Sequence, residues 1–159
     1  MTAPATPEAN NINNNKASLA VLSGSKLLVL DINDEPQNQK IRTFDPYSND
    51  FPICSLAWNH NQMVIATASG VSTDDLGHDN IVLLSSQSGQ TLDSFQHDAD
   101  WKQQEQQRLE KNLGNCPATS VGFGGKSRYL CVGDASGAVC LWDLKKRLRV
   151  RQFFHTFSD

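Results

Sequence analysis

The sequence predicts an all-β protein assembled from repeated units of short antiparallel strands. One sign is the alternation at residues 119–123, where Thr119, Val121 and Phe123 are separated by small residues, as in a half-buried strand. A second sign is the recurrence of turn signals between apolar runs, such as the DASG segment at residues 134–137. Its glycine can adopt the positive φ angle that tight hairpin turns require.

The clearest unit spans residues 119–154 and contains four predicted strands. Its third strand, AVCLWD, ends on the dipeptide Trp142-Asp143, and its fourth, RLRVRQFF, follows after a short turn. Four antiparallel strands that close near a Trp-Asp dipeptide are typical of one blade of a β-propeller. An isolated four-stranded meander is the alternative interpretation.

Two earlier segments repeat this unit imperfectly. Residues 52–95 supply four strands in matching order (ICSLAW, MVIATAS, NIVLLSS, TLDSF), whereas residues 17–44 supply three and leave no room for a first strand. The Trp-Asp position reads Leu-Ser in the longer copy and Leu-Asp in the shorter one. We therefore predict about two and a half blades of an incomplete propeller. Because a propeller needs at least about four blades to close, we expect the sequence to be a fragment of a longer protein or a truncated gene model, unless other copies of the chain supply the missing blades.

The predicted domain organisation follows from these repeats. An Asn-, Ala- and Pro-rich tail at residues 1–16 contains almost no large apolar side chain and is predicted to be disordered. A partial first blade (17–44), a second blade (52–95), an inserted helical loop (96–115) and a third blade (116–159) follow in that order.

The insertion at 96–115 is predicted because the first strands of the second and third blades begin at Pro52 and Pro117, further apart than the roughly 40–45 residues of one propeller repeat. Its segment WKQQEQQRLEKNLG favours a short helix with a narrow apolar stripe that begins at Trp101. Two interpretations remain open. The helix is either a solvated excursion or a partner-binding element anchored by Trp101.

Composition excludes several classes of protein. The chain has 159 residues and a formal net charge of −3, which argues against a dedicated nucleic-acid-binding protein. It has no apolar run long enough to cross a membrane, and its first residues lack the apolar core of a signal peptide. The 4 cysteines show no CxxC spacing, so we expect an intracellular protein with reduced thiols and no membrane partner.

No motif supports an enzyme, a cofactor or a metal site. The segment GFGGKS lacks the first glycine of a phosphate-binding loop and is better explained as a turn. No histidine pairs with a cysteine at zinc spacing, and no Ser/His/Asp or Cys/His grouping can be assembled. The cluster Asp74, Asp75, His78 and Asp79 is interpreted as a solvated acidic loop in preference to a metal site.

A basic strip surrounds the start of the last predicted strand. It comprises Lys145, Lys146, Arg147, Arg149 and Arg151, five of the 14 Lys and Arg residues in an acidic chain. The alternation of RLRVR predicts that the three arginines share one face. The strip has two interpretations: it protects an edge strand from aggregation, or it contacts an acidic partner such as the tubulin surface.

The second and third units resemble WD-repeat blades. Within that superfamily, LAWNH at 56–60 followed by MVIATAS at 63–69 is similar to the second blade of one family, and SRYLC at 127–131 through LWDLK at 141–145 is similar to its third. This is the family of the γ-tubulin ring complex targeting WD-repeat protein (GCP-WD, the NEDD-type centrosomal protein). WD blades usually contain a network of His, Ser/Thr, Asp and Trp. Here Trp142 remains, whereas Val132 and Ser136 occupy the Ser/Thr and Asp positions.

The resemblance implies a non-catalytic scaffold that recruits γ-tubulin complexes and organises microtubules at centrosomes or spindle poles. It also implies protein partners, a cytoplasmic and cytoskeletal location, and a separate helical region, not present in this sequence, that contacts the γ-tubulin complex. The alternative is a WD-repeat protein-interaction subunit of an unrelated intracellular complex, since a blade pattern alone does not select a partner.

Overall fold

The computed structural model describes residues 17–32, 39–47, 51–70, 80–95 and 117–154. Within them the chain forms eleven β-strands in three antiparallel sheets, each a meander whose neighbouring strands are also neighbours in sequence. The first sheet contains β1 (Ala17–Ser23), β2 (Lys26–Ile32) and β3 (Lys40–Phe44). The second contains β4 (Ile53–Trp58), β5 (Val64–Ser69), β6 (Ile81–Ser85) and β7 (Thr91–Phe95). The third contains β8 (Ala118–Gly124), β9 (Tyr129–Asp134), β10 (Ala138–Asp143) and β11 (Leu148–Phe154).

The DASG turn between β9 and β10 shows how local sequence sets these hairpins. Gly137 adopts the left-handed conformation predicted for it, with φ at 82°. The Asp134 carboxylate accepts hydrogen bonds from the Ser136 backbone N–H at 2.9 Å and from the Ala138 N–H at 3.0 Å. A short acidic side chain and a glycine thus close the connection without help from other elements.

The second and third sheets are copies of one unit, including its irregularities. Each sheet has a β-bulge on its first strand, between Ile53 and Ser55 and between Ala118 and Ser120, and another on its fourth strand, where Leu92 and Val150 are the extra residues. Two backbone hydrogen bonds also recur in both sheets. The Gly70 N–H donates to the Pro52 carbonyl, and in the third sheet the Ala135 N–H donates to the Pro117 carbonyl. The Ser86 N–H donates to the Met63 carbonyl, and in the third sheet the Leu144 N–H donates to the Arg128 carbonyl. Bulges shift the register of a strand, so their repetition fixes which residues of the two sheets correspond.

The first sheet corresponds to the last three strands of that unit. Equivalent apolar residues are paired with a phenylalanine on the last strand in all three sheets: Leu27 with Phe44, Ile81 with Phe95, and Val139 with Phe153. The three described strands of the first sheet therefore match the second, third and fourth strands of the unit.

The three sheets are stacked face to face, and the two interfaces form the core. We call the face of a sheet that packs on the preceding sheet its front and the opposite face its back. The back of the first sheet packs on the front of the second through Leu27, Val29, Ile65, Val82 and Leu84. The back of the second sheet packs on the front of the third through Ala66, Ala68, Ile81, Leu83, Leu130, Val132, Cys140 and Trp142.

The all-β prediction is confirmed. The described residues contain no helix, and hence none long and apolar enough to span a membrane. The helix predicted at 96–115, with Trp101, lies outside the described residues, as do the predicted tail at 1–16 and the acidic loop at Asp74 to Asp79.

Candidate functional site

The basic strip predicted from the sequence centres on the turn between β10 and β11. Lys145 and Lys146 lie in this turn, at residues 144–147, and both side chains are exposed. The turn follows directly from the Trp142-Asp143 dipeptide, so the geometry of that dipeptide determines where the two lysines are presented.

The Asp143 side chain holds the backbone of this turn in place. Its side chain is only 2% exposed, and its Oδ1 accepts a hydrogen bond from the Lys146 backbone N–H at 3.1 Å. Its Oδ2 accepts two more from Arg128, from Nη2 at 2.9 Å and from Nε at 3.2 Å. Burial alone would raise the pKa of Asp143, but the hydrogen bonds from the Lys146 N–H and Arg128 outweigh it, and the pKa lies below its ordinary value. The carboxylate is therefore a charged, satisfied turn anchor.

The second sheet uses a shorter side chain for a related purpose. Ser85 is the equivalent of Asp143, and its Oγ accepts a hydrogen bond from the Ser88 backbone N–H at 3.3 Å. The acceptor and donor are three residues apart in both sheets. The loss of Trp-Asp in the second unit thus changes the residue type but keeps the capping contact.

Arg147 joins the turn to the neighbouring sheet. Its backbone adopts a left-handed conformation, with φ at 54°, and its side chain reaches β7. There its Nη2 forms an ion pair with Asp93 Oδ1. The arginine side chain is 72% exposed, so the pair is screened by solvent and adds little stability. The pair leaves Lys145 and Lys146 as the exposed cations of the turn for which no ion pair is described.

The prediction that the three arginines share one face is wrong. A β-bulge at Val150 of β11 pairs Arg149 with Trp142 but Arg151 with Leu141. Paired residues project from the same face and adjacent residues project from opposite faces, so Arg149 lies on the front of the third sheet and Arg151 on its back. A period-two reading of RLRVR cannot detect the one-residue shift that a bulge introduces.

Trp142 lies beside a cleft between the second and third sheets. Its ring is 7% exposed, and its centroid is 4.7 Å from that of Phe95. The adjoining cavity of about 230 Å³ is lined by residues 93–95 of β7 and by Trp142, Asp143, Leu144 and Arg147. In the described part of the chain, the buried indole Nε1 has no hydrogen-bond partner. Trp142 therefore acts through packing and leaves one buried polar atom uncompensated.

Sequence reasoning missed a buried network around Tyr47, which lies between the predicted first blade (17–44) and second blade (52–95). The Tyr47 hydroxyl lies 3.0 Å from the carbonyl oxygens of both Thr67 and Asn80 and 3.2 Å from Thr67 Oγ1. Thr67 Oγ1 in turn donates to the Val82 carbonyl at 3.3 Å. The only signal available was one aromatic residue with a hydroxyl among Asp, Pro, Ser and Asn. A single residue shows no hydrophobic periodicity, so the pattern could not indicate that it is buried.

Cys54 forms a second contact between sheets. Its Sγ lies 2.8 Å from the Ala118 carbonyl oxygen on β8 and 3.2 Å from that of Ala68 on β5. Burial raises the pKa of this thiol, despite a backbone hydrogen bond that acts in the opposite direction. Cys54 is therefore held in its neutral, weakly nucleophilic form.

Over the ranges 17–32, 39–47, 51–70, 80–95 and 117–154, no three His, Cys, Asp or Glu side chains come together in a way that could hold a metal ion. Comparison with models of protein families and with curated proteins finds no match for this sequence.

Proposed function

We propose that this chain is a non-catalytic WD-repeat scaffold that helps to recruit γ-tubulin complexes and to organise microtubules at centrosomes or spindle poles. Its three sheets are the blades of a propeller, and the exposed turn after the third strand of a blade contacts the partner. Trp142 and Asp143 are structural residues of that blade and hold the turn in place.

The observation that supports the blade assignment is the repetition of one unit with both of its bulges in the second and third sheets. Stacked four-stranded meanders are the architecture of propellers, in which each blade is covered by its neighbours. The sequence resemblance to GCP-WD in these same two sheets supports the γ-tubulin partner.

Charge supports the contact surface. Lys145 and Lys146 are exposed at the tip of a turn. The Asp143 carboxylate holds the backbone of this turn through a hydrogen bond from the Lys146 N–H. A preformed loop that presents two cations loses little conformational freedom when it meets an acidic surface. An acidic surface such as that of tubulin is the kind of partner that this turn fits.

The test is co-sedimentation of the chain with microtubules, together with its enrichment at centrosomes when it is expressed in cells. The double variant Lys145→Glu/Lys146→Glu reverses the exposed charges and leaves the Asp143 side chain in place. We expect weaker binding to microtubules, with the largest difference from the unaltered chain at low salt, because screening removes surface attraction. Lys40→Glu is a control with half of that charge change, since it reverses one exposed charge on the first sheet.

Recovery of γ-tubulin itself is a second readout. We expect weak recovery by these 159 residues, because the resemblance assigns tight binding to a helical region outside the propeller. A chain that neither binds microtubules in a salt-dependent way nor concentrates at centrosomes would refute the proposed partner. Equal binding by the double variant and the unaltered chain would refute the role of the turn.

A further inference from the structure

We infer that this chain associates with a second copy of itself, with the front face of the first sheet of one copy packing on the back face of the third sheet of the other. This inference does not depend on the function proposed above. It follows from the two faces at the ends of the stack, which we call the open front (first sheet) and the open back (third sheet).

The open back repeats the residues of a face that is already engaged inside the molecule. The engaged face is the back of the first sheet, which packs on the second. Four positions correspond through strand register and carry the same class of side chain, two of them the same residue: Leu27 and Val139, Val29 and Leu141, Arg42 and Arg151, Phe44 and Phe153.

The engaged copy shows what these residues do. Phe44 packs so closely over Gly89 of the second sheet that a Cβ on this glycine would lie 2.2 Å from its Cδ1. Arg42 Nη1 donates hydrogen bonds to the carbonyl oxygens of Ser86 at 2.8 Å and Gln87 at 3.2 Å, both in the turn between β6 and β7. An apolar centre with an Arg and a Phe on the last strand is therefore the arrangement by which this chain binds the front of a sheet.

On the third sheet the same arrangement is exposed. Val139 is 40% and Phe153 52% exposed, whereas Leu27, the equivalent of Val139, is fully buried. Cys131, also on the open back, is exposed as well. The basic strip of the sequence thus contains a residue, Arg151, whose counterpart already connects two sheets.

The open front carries apolar side chains at the same positions as the front of the third sheet, which is covered by the second sheet. Leu19, Val21 and Leu30 occupy the positions of Leu130, Val132 and Trp142 on the third sheet. Leu130 and Val132 are fully buried, but Leu19 is 48% and Val21 44% exposed. Ile41, paired with Leu30 on the same face, is 66% exposed. An apolar sheet face of this kind is a surface for association rather than for solvent.

A second copy is the occupant that these two faces select. Each interface inside the chain joins a back to the front of the next sheet. Over residues 17–154, as far as the structure describes them, the stack presents one open back and one open front, so two copies can form this contact between unlike faces. Such heterologous contacts either close into a ring or continue as an open assembly, and both increase with concentration.

The experiment is sedimentation velocity of the full 159-residue chain and of three charge variants over a wide concentration range. Ile41→Asp places a carboxylate on the open front, and Phe153→Asp places one on the open back. Leu92→Asp is the control, because Leu92 is 53% exposed on β7 and belongs to neither face. We expect concentration-dependent association of the unaltered chain and of the control. Each face variant should associate at least about ten-fold more weakly, because a buried carboxylate would lack a partner.

Mixing the two face variants gives the decisive result. The Ile41→Asp chain retains its open back and the Phe153→Asp chain retains its open front, so an equimolar mixture should form a one-to-one complex that neither variant forms alone. Circular dichroism of each variant verifies that it is folded. A monomeric unaltered chain, a mixture that fails to associate, or association abolished only by Ile41→Asp would each overturn the inference. The last result would indicate a front-to-front contact.

Discussion

Replacement of Tyr47 by Phe tests whether the network between the first two sheets stabilises the fold. The residue is 4% exposed, and its hydroxyl lies among the carbonyl oxygens of Thr67 and Asn80 and the Thr67 side chain. Phenylalanine retains the ring and its packing, so only the hydroxyl is lost. The change therefore isolates a polar contribution from an apolar one.

The magnitude follows from what the hydroxyl leaves behind. A phenol has one proton, so it makes one donated hydrogen bond at a time, with a net value of about 0.5–1.5 kcal/mol. The abandoned acceptors keep other partners, since the Asn80 carbonyl also accepts from the Ser69 N–H at 2.8 Å and Thr67 Oγ1 still donates to Val82. The full penalty for an unsatisfied group is therefore not expected. We predict a loss of about 0.5–1.5 kcal/mol, equivalent to a decrease in Tm of about 1–6 °C for a chain of this size.

Urea denaturation monitored by circular dichroism measures this loss. Tyr129→Phe is the matched control, because the Tyr129 side chain is half-buried and its described contact is with the guanidinium of Arg128, over the ring. A cycle with Thr67→Val should show coupling of about 0.5–1 kcal/mol between the two positions. A Tyr47→Phe chain that unfolds at the same urea concentration as the unaltered chain, or a cycle that is additive, would refute the reasoning.

Three further results are expected. Gly89→Ala should destabilise the fold by at least about 1 kcal/mol more than Gly24→Ala. Both glycines adopt a left-handed conformation, but only Gly89 faces the Phe44 ring. Thermal melts of the two variants measure the difference in stability. The depressed pKa of Asp143 contributes stability that is complete above its unfolded value of about 4 and is lost as the pH falls through its folded value. The difference in urea midpoint between the unaltered chain and Asp143→Asn should therefore be large at neutral pH and small in acid. Because the pKa of Cys54 is raised, iodoacetamide should alkylate it more slowly at mildly alkaline pH than a cysteine in an unstructured peptide, and peptide mass spectrometry measures the rate.

The strands were predictable because their signals are local. Apolar runs such as ICSLAW and AVCLWD are bounded by turn residues, and both become strands over the expected residues. The three strands described in the first sheet were also predictable, since residues 17–44 contain three apolar runs of strand length. Period, turn chemistry and length were sufficient for the all-β architecture.

The site was less predictable because it depends on contacts between sheets. The distribution of Arg149 and Arg151 over two faces results from a bulge that no composition rule marks. The Arg147 contact with Asp93 and the Tyr47 contact with Thr67 join residues far apart in sequence. Such pairings are visible only when the stacking of the sheets is known.

The central position of the second sheet has a consequence for how the molecule opens. Its middle strands, β5 and β6, are almost entirely buried because both of their faces are covered, whereas β11 is an edge strand with exposed apolar side chains. Amide protons on β5 and β6 should therefore exchange with deuterated water only when the whole stack unfolds, at a rate set by global stability. Those of β11 should exchange through local fraying that leaves the other two sheets intact. The free energy of local opening therefore differs between the sheets: it is highest for the middle sheet and lowest for the last strand.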